Sequence, residues 1–464
     1  MSADSPERPT TTRAGRVVLS GRRRRKVKEL SLKGAASKNA SACLTDHALT
    51  ADLVSIGPGR PKLGNIKLVD TTCRDGEQMP GISFTCDEKV EIALGLERLG
   101  VEQIETFATY NDSDRTCAKR LQSCLSDMSI MGWNRMVKAD VEDSISHGVD
   151  AVSVSTDTSD IALANKLKIT RARQLEILAD CVGFAKDRGV YVCFNAGDAT
   201  RTDPDYLVEF ARAGKAAGGD RFRICDTVGI LTPAASSALI TKVMSNVDID
   251  VEFHAHNDFG LAVANALAAC EAASSFQGHT LWLSTTVNGL GERAGNVPLE
   301  VLVMNLHTHY GLDRYRTEHI MSLCKHVEKA SGLQIPLNYP VIGGNMFTHK
   351  SGIHVDGVLK DPQLYEAFDP AMLGRTRRIS IGKHSGKASI RHKLDQLGLA
   401  APPEVVEVLR CEVSRVGEEN KRDLTDAEFV QIYTRLAGGT ARSGRASRSE
   451  KKLAAVDANI PWDN

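Results

Sequence analysis

The chain carries 58 basic and 58 acidic residues over 464 positions, with 42% hydrophobic residues and eleven cysteines. Balanced charge gives the molecule as a whole no pull toward nucleic acid. No run of about eighteen apolar residues suggests a membrane span, and no apolar leader marks secretion, so a cytoplasmic protein is expected. The cysteines are scattered without a Cys-x-x-Cys and read as reduced thiols.

Residues 1–64 begin with a basic stretch: the first 35 positions hold ten Lys or Arg against three acidic residues, including the run Arg22 to Lys26. Ser, Thr, Pro and Gly fill the gaps without apolar periodicity, which predicts a disordered arm. An organellar leader is the other reading of that composition. Nucleic-acid binding by the arm finds no interleaved aromatics to support it.

From residue 65 short β-branched runs recur: IKLVDTT, VEQIETF, IMGWNRMV, VDAVSVST, VYVCFNA, RFRICDT, DVEFHAHN and TLWLSTTVNG. Stretches with helical apolar spacing, such as CDEKVEIALGLERLG, lie between them, and several close on glycine. Repeated strand–helix alternation predicts an α/β fold, a (β/α)8 TIM barrel, over residues 65–330. An open doubly wound sheet wants a glycine fingerprint after its first strand, and TTCRDGEQ is not one. Residues 331–395 are expected to form a lid subdomain, 396–438 a small helical subdomain and 439–464 a disordered tail.

Catalytic groups of such a barrel gather at the C-terminal ends of its strands. Arg74, Asp75 and Gln78 follow the first strand, Glu105 lies in the second and Arg135 ends the third. Asp226 and Thr227 end the sixth, and Asn288 ends the eighth. His254 and His256 sit two residues apart at the end of the seventh, where both imidazoles share one face. With Asp75 they make a mixed N/O set suited to a divalent ion: Mg, Mn, Zn or Co. A 2-oxo acid can chelate such an ion, and the neighbouring arginine can stabilise an alkoxide. His307 and His309 have the same spacing but lie in a helical pattern, where i and i+2 diverge, so no metal is expected there.

The segments LVDTTCRDGEQMPGISF, VEFHAHNDFGLAVANALAA and VNGLGERAGNVPLEVLV resemble, in order, three signatures of the homocitrate synthase and 2-isopropylmalate synthase family of DRE-TIM metallolyases. FTHKSGIHVDGVLKDPQLYEAF and IGKHSGKASI extend the resemblance to at least residue 395, where it looks most like bacterial homocitrate synthases. The resemblance implies a Claisen condensation. Acetyl-CoA loses a methyl proton, its enolate attacks the ketone of a 2-oxo acid, and the thioester is hydrolysed. By position it implies Asp75, His254 and His256 as metal ligands, with Asn296 of the GERAGN loop as a further contact. Arg74 would hold the ketone oxygen, with Glu105 among the catalytic groups and Gln78 and Thr227 on the acceptor's carboxylate. His354 and Tyr365 resemble a lid pair for proton transfer that reaches into a neighbouring subunit, which implies a homodimer. The related hydroxymethylglutaryl-CoA lyases carry a cysteine in the GERAGN loop; Gly289 to Asn296 has none, which favours condensation over cleavage. The helical stretch after the lid is too short for the regulatory domain of long isopropylmalate synthases, so no allosteric amino-acid site of that type is expected.

Three departures bear on the acceptor. Gly197 in FNAGDATRTD stands where the family places a glutamate, although Asp198 and Arg201 are kept. Phe107 and Tyr110 stand where small residues are more common. Arg135 aligns with the arginine that meets the distal carboxylate of 2-oxoglutarate, the default acceptor; pairing with Asp140 or Glu142 is its alternative. Given Gly197, an oxaloacetate-like acceptor, including phosphonopyruvate or a phosphinate analogue, is the rival. The contrasting class is an impaired barrel that binds partners through its basic arm.

Overall fold

The computed structural model describes residues 62–440, with side chains through residue 437; the expected basic arm and tail lie outside the described residues except at their inner margins. Eight parallel strands close in chain order: β1 Asn65–Asp70, β2 Gln103–Phe107, β3 Ser129–Arg135, β4 Ala151–Asp157, β5 Tyr191–Gly197, β6 Arg221–Asp226, β7 Asp250–Ala255 and β8 Thr280–Thr285. Strand β8 returns to β1, with Asn65 opposite Thr280 and Asp70 opposite Thr285. The helices α1 Cys86–Leu99, α2 Asp112–Cys124, α3 Lys138–Ser146, α4 Arg171–Lys186, α5 Pro204–Ala216, α6 Pro233–Met244, α7 Ala262–Ala273 and α8 Leu299–Tyr310 follow their strands. This is the TIM barrel the alternation predicts.

Local chemistry sets the element ends. Thr85 and Glu88 form a reciprocal capping box at the start of α1, and Gly100 ends that helix at φ 100°. Pro204 and Pro233 open α5 and α6, where a missing N–H costs nothing. One strand differs from its predicted run. The VNG expected to extend β8 forms a tight turn over Val287–Gly289, because Asn288 adopts φ 58°. His307 and His309 lie on α8, as their helical spacing predicts.

Alternation along the strands divides the core in two. The large apolar core fills the shell between strands and helices. Within the lumen, the apolar cluster is small: Val69, Met131, Ala151, Cys193 and Trp282. Lumen-facing positions are therefore odd-numbered through β6 and even-numbered in β7 and β8. That parity places Glu105, Arg221, Arg223, Glu252 and His254 inside the barrel.

After the barrel come α9 Ile320–Ser331, the short paired strands β9 Thr348–His349 and β10 Arg378–Ile379, and α10 Gly352–Lys360 between them. Then α11 Lys387–Gln396, α12 Pro403–Glu419 and α13 Asp426–Thr440 gather around a separate core that includes Ile390, Leu409, Val413 and Phe429. The ten described cysteines are free thiols. No described helix is long and apolar enough to cross a membrane.

Candidate active site

The chain turns sharply after β1. The amides of Arg74 and Asp75 donate to the Thr71 carbonyl at 3.0 and 2.8 Å, which brings both side chains over the barrel mouth. Across the mouth, β7 presents its even-numbered side chains. His254 Nε2 lies 3.0 Å and His256 Nε2 3.7 Å from Asp75 Oδ2. Asn296 Nδ2 donates to the same oxygen at 2.8 Å. A bridge between His256 and Asn296 brings the Gly289–Asn296 loop to this position.

One carboxylate and two imidazoles have ligand atoms within 4.8 Å of one another, and all three residues are buried. The charge states of Asp75 and His256 suit a cation. Burial would raise Asp75, but the Arg74 guanidinium and the His254 hydrogen bond outweigh it and hold the carboxyl far below its usual range. Burial and the neighbouring His254 push the His256 imidazole down to about 3, so it stays in the neutral, ligating form. Asn296 Oδ1 is buried without a hydrogen-bond partner, as are both Nδ1 atoms of the pair. The donor set fits a divalent ion held by Asp75, His254 and His256, with the Asn296 carbonyl oxygen as a fourth, uncommitted donor.

Below this centre the lumen is charged. Arg74 Nε donates to Glu105 Oε2 at 2.7 Å, and Glu105 Oε1 faces Arg223 NH1 at 2.8 Å. Arg223 Nε lies 2.6 Å from Glu252 Oε1, and Glu252 Oε2 lies 3.0 Å from Arg221 Nε. The contacts of Arg223 and Arg221 with the glutamates are close, but their angles make them ion pairs and not aligned hydrogen bonds. Arg221 also donates to Gln103 Oε1 at 2.5 Å and stacks 4.2 Å from the Trp282 ring centre. Burial opposes charge on both glutamates, yet the arginines win: Glu105 is lowered and Glu252 falls to about 2. Three cations (Arg74, Arg221, Arg223) thus face three anions (Asp75, Glu105, Glu252).

The other residues singled out in the sequence are distributed unevenly. Gln78 is exposed at the mouth and accepts from Arg74 NH1 at 3.4 Å. Thr227 Oγ1 accepts from the Asp198 amide at 2.8 Å, a bond that joins the ends of β5 and β6. Glu105 is fully buried behind Arg74 and holds its Nε at 2.7 Å. Arg135 is two-thirds exposed and forks onto Asp140 at 2.7 and 2.9 Å. A carboxylate five residues on, in the first turn of α3, has captured it. Asn288 faces away from the centre, donating to the Cys324 carbonyl at 3.0 Å. His354 and Tyr365 are both exposed and stack on each other with ring centres 4.3 Å apart; within one chain they make no hydrogen bond or ion pair to Asp75.

Gly197 ends β5 on the lumen face, opposite Asp157 of β4. A Cβ there would lie 2.4 Å from Asp157 Oδ1, so the Asp157 carboxylate fills the space a side chain would take. Asp157 in turn holds the Lys166 ammonium at 2.6 Å. On the β2–β3 side, Phe107 packs 4.5 Å from Tyr110 and edge-on to Trp133 at 5.9 Å, and the Arg74 guanidinium lies 5.9 Å from the Trp133 ring centre. Reading the sequence for chemistry missed Arg221, Arg223 and Glu252. The available signal was parity: Glu252 precedes His254 by one strand period, and Arg223 follows Arg221 by one.

Fold and centre together define a class, a TIM-barrel enzyme whose mouth gathers three residues that could hold a divalent ion. The HMGL-like family model matches residues 65–327, and a homocitrate synthase post-HMGL domain-like model matches residues 341–421. The chain is 44% identical to 2-isopropylmalate synthase 2 of Caldanaerobacter subterraneus subsp. tengcongensis over 79% of its own length and 95% of that protein. It is 40% identical to homocitrate synthase AksA of Methanopyrus kandleri over 78% of this chain and 90% of that one. The crystal structure of Bacillus subtilis HMG-CoA lyase superposes with a TM-score of 0.53 at 18% identity, covering 60% of this chain and 96% of that one, and shares the barrel fold. The chain belongs to the HMGL-like family, in its homocitrate synthase and 2-isopropylmalate synthase branch, and is an acyltransferase of that branch.

Proposed function

We propose that this protein condenses acetyl-CoA with a short 2-oxo acid of the oxaloacetate class, whose distal carboxylate is replaceable by a phosphonate or phosphinate, and then hydrolyses the thioester. The observation that carries the acceptor is the wall of Phe107, Tyr110 and Trp133. It lines the β2–β3 side next to Arg74, bulk that favours an acceptor shorter than 2-oxoglutarate.

Arg74 carries the chemistry at the ketone. Glu105 takes its Nε and Gln78 accepts from NH1, which leaves NH2 for the oxygen that becomes an alkoxide. Asp75, His254 and His256 would hold a divalent ion, which would supply Lewis-acid polarisation of that ketone. Gln78 and Thr227 sit at the mouth to orient the acceptor's carboxylate. The exposed His354–Tyr365 pair, borne by a lid shared between two subunits, moves the proton. The balance is simple: a methyl C–H bond breaks, a C–C bond forms, the alkoxide takes a proton, and water releases the CoA thiol.

A second reading, with 2-oxoglutarate as acceptor, is favoured by the relatives that carry the homocitrate synthase name. Thiol release measured with acetyl-CoA and a panel of oxaloacetate, phosphonopyruvate, 2-oxoglutarate and 2-oxoisovalerate separates the two. The four-carbon and phosphonate acceptors should give the highest kcat/KM. A tenfold preference for 2-oxoglutarate would reverse the assignment, and no thiol release with any acceptor would remove the condensation.

A further inference from the structure

TIM barrels usually fill the lumen with layers of branched apolar side chains. In this one, Glu105, Arg221, Arg223 and Glu252 are at most 1% exposed. Exchanging a buried ionic array for well-packed apolar residues is commonly neutral or stabilising, so stability alone does not account for it.

The array has a direction. Arg223 stands between two carboxylates, 2.8 Å from Glu105 and 2.6 Å from Glu252. Both oxygens of each glutamate are engaged: Glu105 holds Arg223 and Arg74, while Glu252 holds Arg223, Arg221 and, at 2.5 Å, the Ser284 hydroxyl. Neither carboxylate can turn without losing a partner. Glu252 also shares the lumen face of β7 with His254, one strand period away. A single chain of charges therefore connects the strand that bears the imidazoles to the arginine of the β1 turn.

We propose that Arg223 and Glu252 are positioning residues for Arg74: they fix the Glu105 carboxylate and, through it, the angle at which the Arg74 guanidinium meets the acceptor's ketone oxygen. The proposal uses the condensation reading only in assigning Arg74 to that oxygen.

The test is Arg223→Lys in the full-length, metal-loaded protein, since lysine keeps the charge and loses the two-pronged bridge. The expected result is a fold and metal stoichiometry like wild type, with kcat lowered about tenfold or more and acceptor KM moved by less than about threefold, as befits a misaimed group. In a double-mutant cycle, Arg74→Lys with Arg223→Lys should be no slower than Arg74→Lys alone, because both act through one guanidinium. A crystal structure of metal-free Arg223→Lys should show Arg74 displaced from its 2.7 Å contact with Glu105. Glu252→Gln should show the same displacement and the same kcat-against-KM split. Unchanged kcat, additive losses in the cycle or an unmoved Arg74 would each overturn the proposal. If wild type turns over no acceptor, the functional reading fails by itself, and the position of Arg74 in the variants still decides this one.

Discussion

Asp75→Asn separates the charge of the centre from its shape. Asparagine preserves size while removing the anion that faces Arg74, His254 and His256 at 3.6, 3.0 and 3.7 Å. In the metal-free protein the cost is small. Arg74 keeps Glu105 at 2.7 Å, so it is not orphaned, and the loss should be about 1 kcal/mol where stranding a buried charge costs about 3–5 kcal/mol. With metal the difference grows. An ion that binds only the native state adds about 4 kcal/mol at a thousandfold excess over Kd; a variant with a hundredfold weaker Kd gains about 1.4 kcal/mol at the same concentration. Scaling the unfolding entropy to a domain of this size gives about 1–2 °C per kcal/mol. Manganese should therefore raise the wild-type melting temperature by about 4–8 °C and that of the variant by about 1–3 °C. Thermal melts of chelator-treated protein with and without Mn2+, plus metal counting by mass spectrometry, read both quantities. Equal metal-induced shifts in the two proteins, or one ion bound by the variant at unchanged Kd, would refute a centre built on this carboxylate.

Other consequences are open to measurement. Asn296→Ala removes the 2.8 Å donor to Asp75 and should weaken metal binding about 10- to 100-fold by calorimetry, with the fold intact. Burial raises Glu300 to about 7, so the folded protein holds an extra proton between the ordinary carboxylate range and that value, and stability falls as pH rises through the window. Glu300→Gln should remove that slope and gain about 1–2 kcal/mol at pH 8 relative to pH 5 in urea titrations; an unchanged slope would reject the assignment. Arg135→Ala should leave kcat/KM within about threefold, since the side chain is an exposed partner of Asp140, whereas a large rise in acceptor KM would return it to the pocket. If the lid is shared, mixing the inactive Asp75→Asn and His354→Ala chains should restore up to about a quarter of wild-type activity, because half the dimers are mixed and each has one intact centre.

What was legible in the sequence follows from the range of the physics involved. Strand and helix periods are local, so the eight barrel strands could be read in order, and Asn288 broke the last run only because a left-handed residue is invisible to hydropathy. The pair His254 and His256 was legible because strand parity makes neighbours of i and i+2; the identical spacing at His307 and His309 lies on a helix, where i and i+2 diverge. Arg135 shows the limit. Its position at the end of β3 is correct for a substrate ligand, but its direction depends on Asp140, and no spacing rule ranks a local carboxylate against a distal substrate group.

The charged lumen was illegible for a different cause. Glu105, Arg223 and Glu252 lie on three strands, and each taken singly looks like a lone polar residue in an apolar run. Only closure of the barrel makes them partners, and only partnership offsets the cost of burying them. The same closure explains the electrostatics at the mouth. Asp75, Glu105 and Glu252 offset Arg74, Arg221 and Arg223, so a divalent ion held at the mouth would add positive charge that the built-in anions do not cancel. Such a field favours an anionic acceptor and the negative charge that develops on its ketone oxygen.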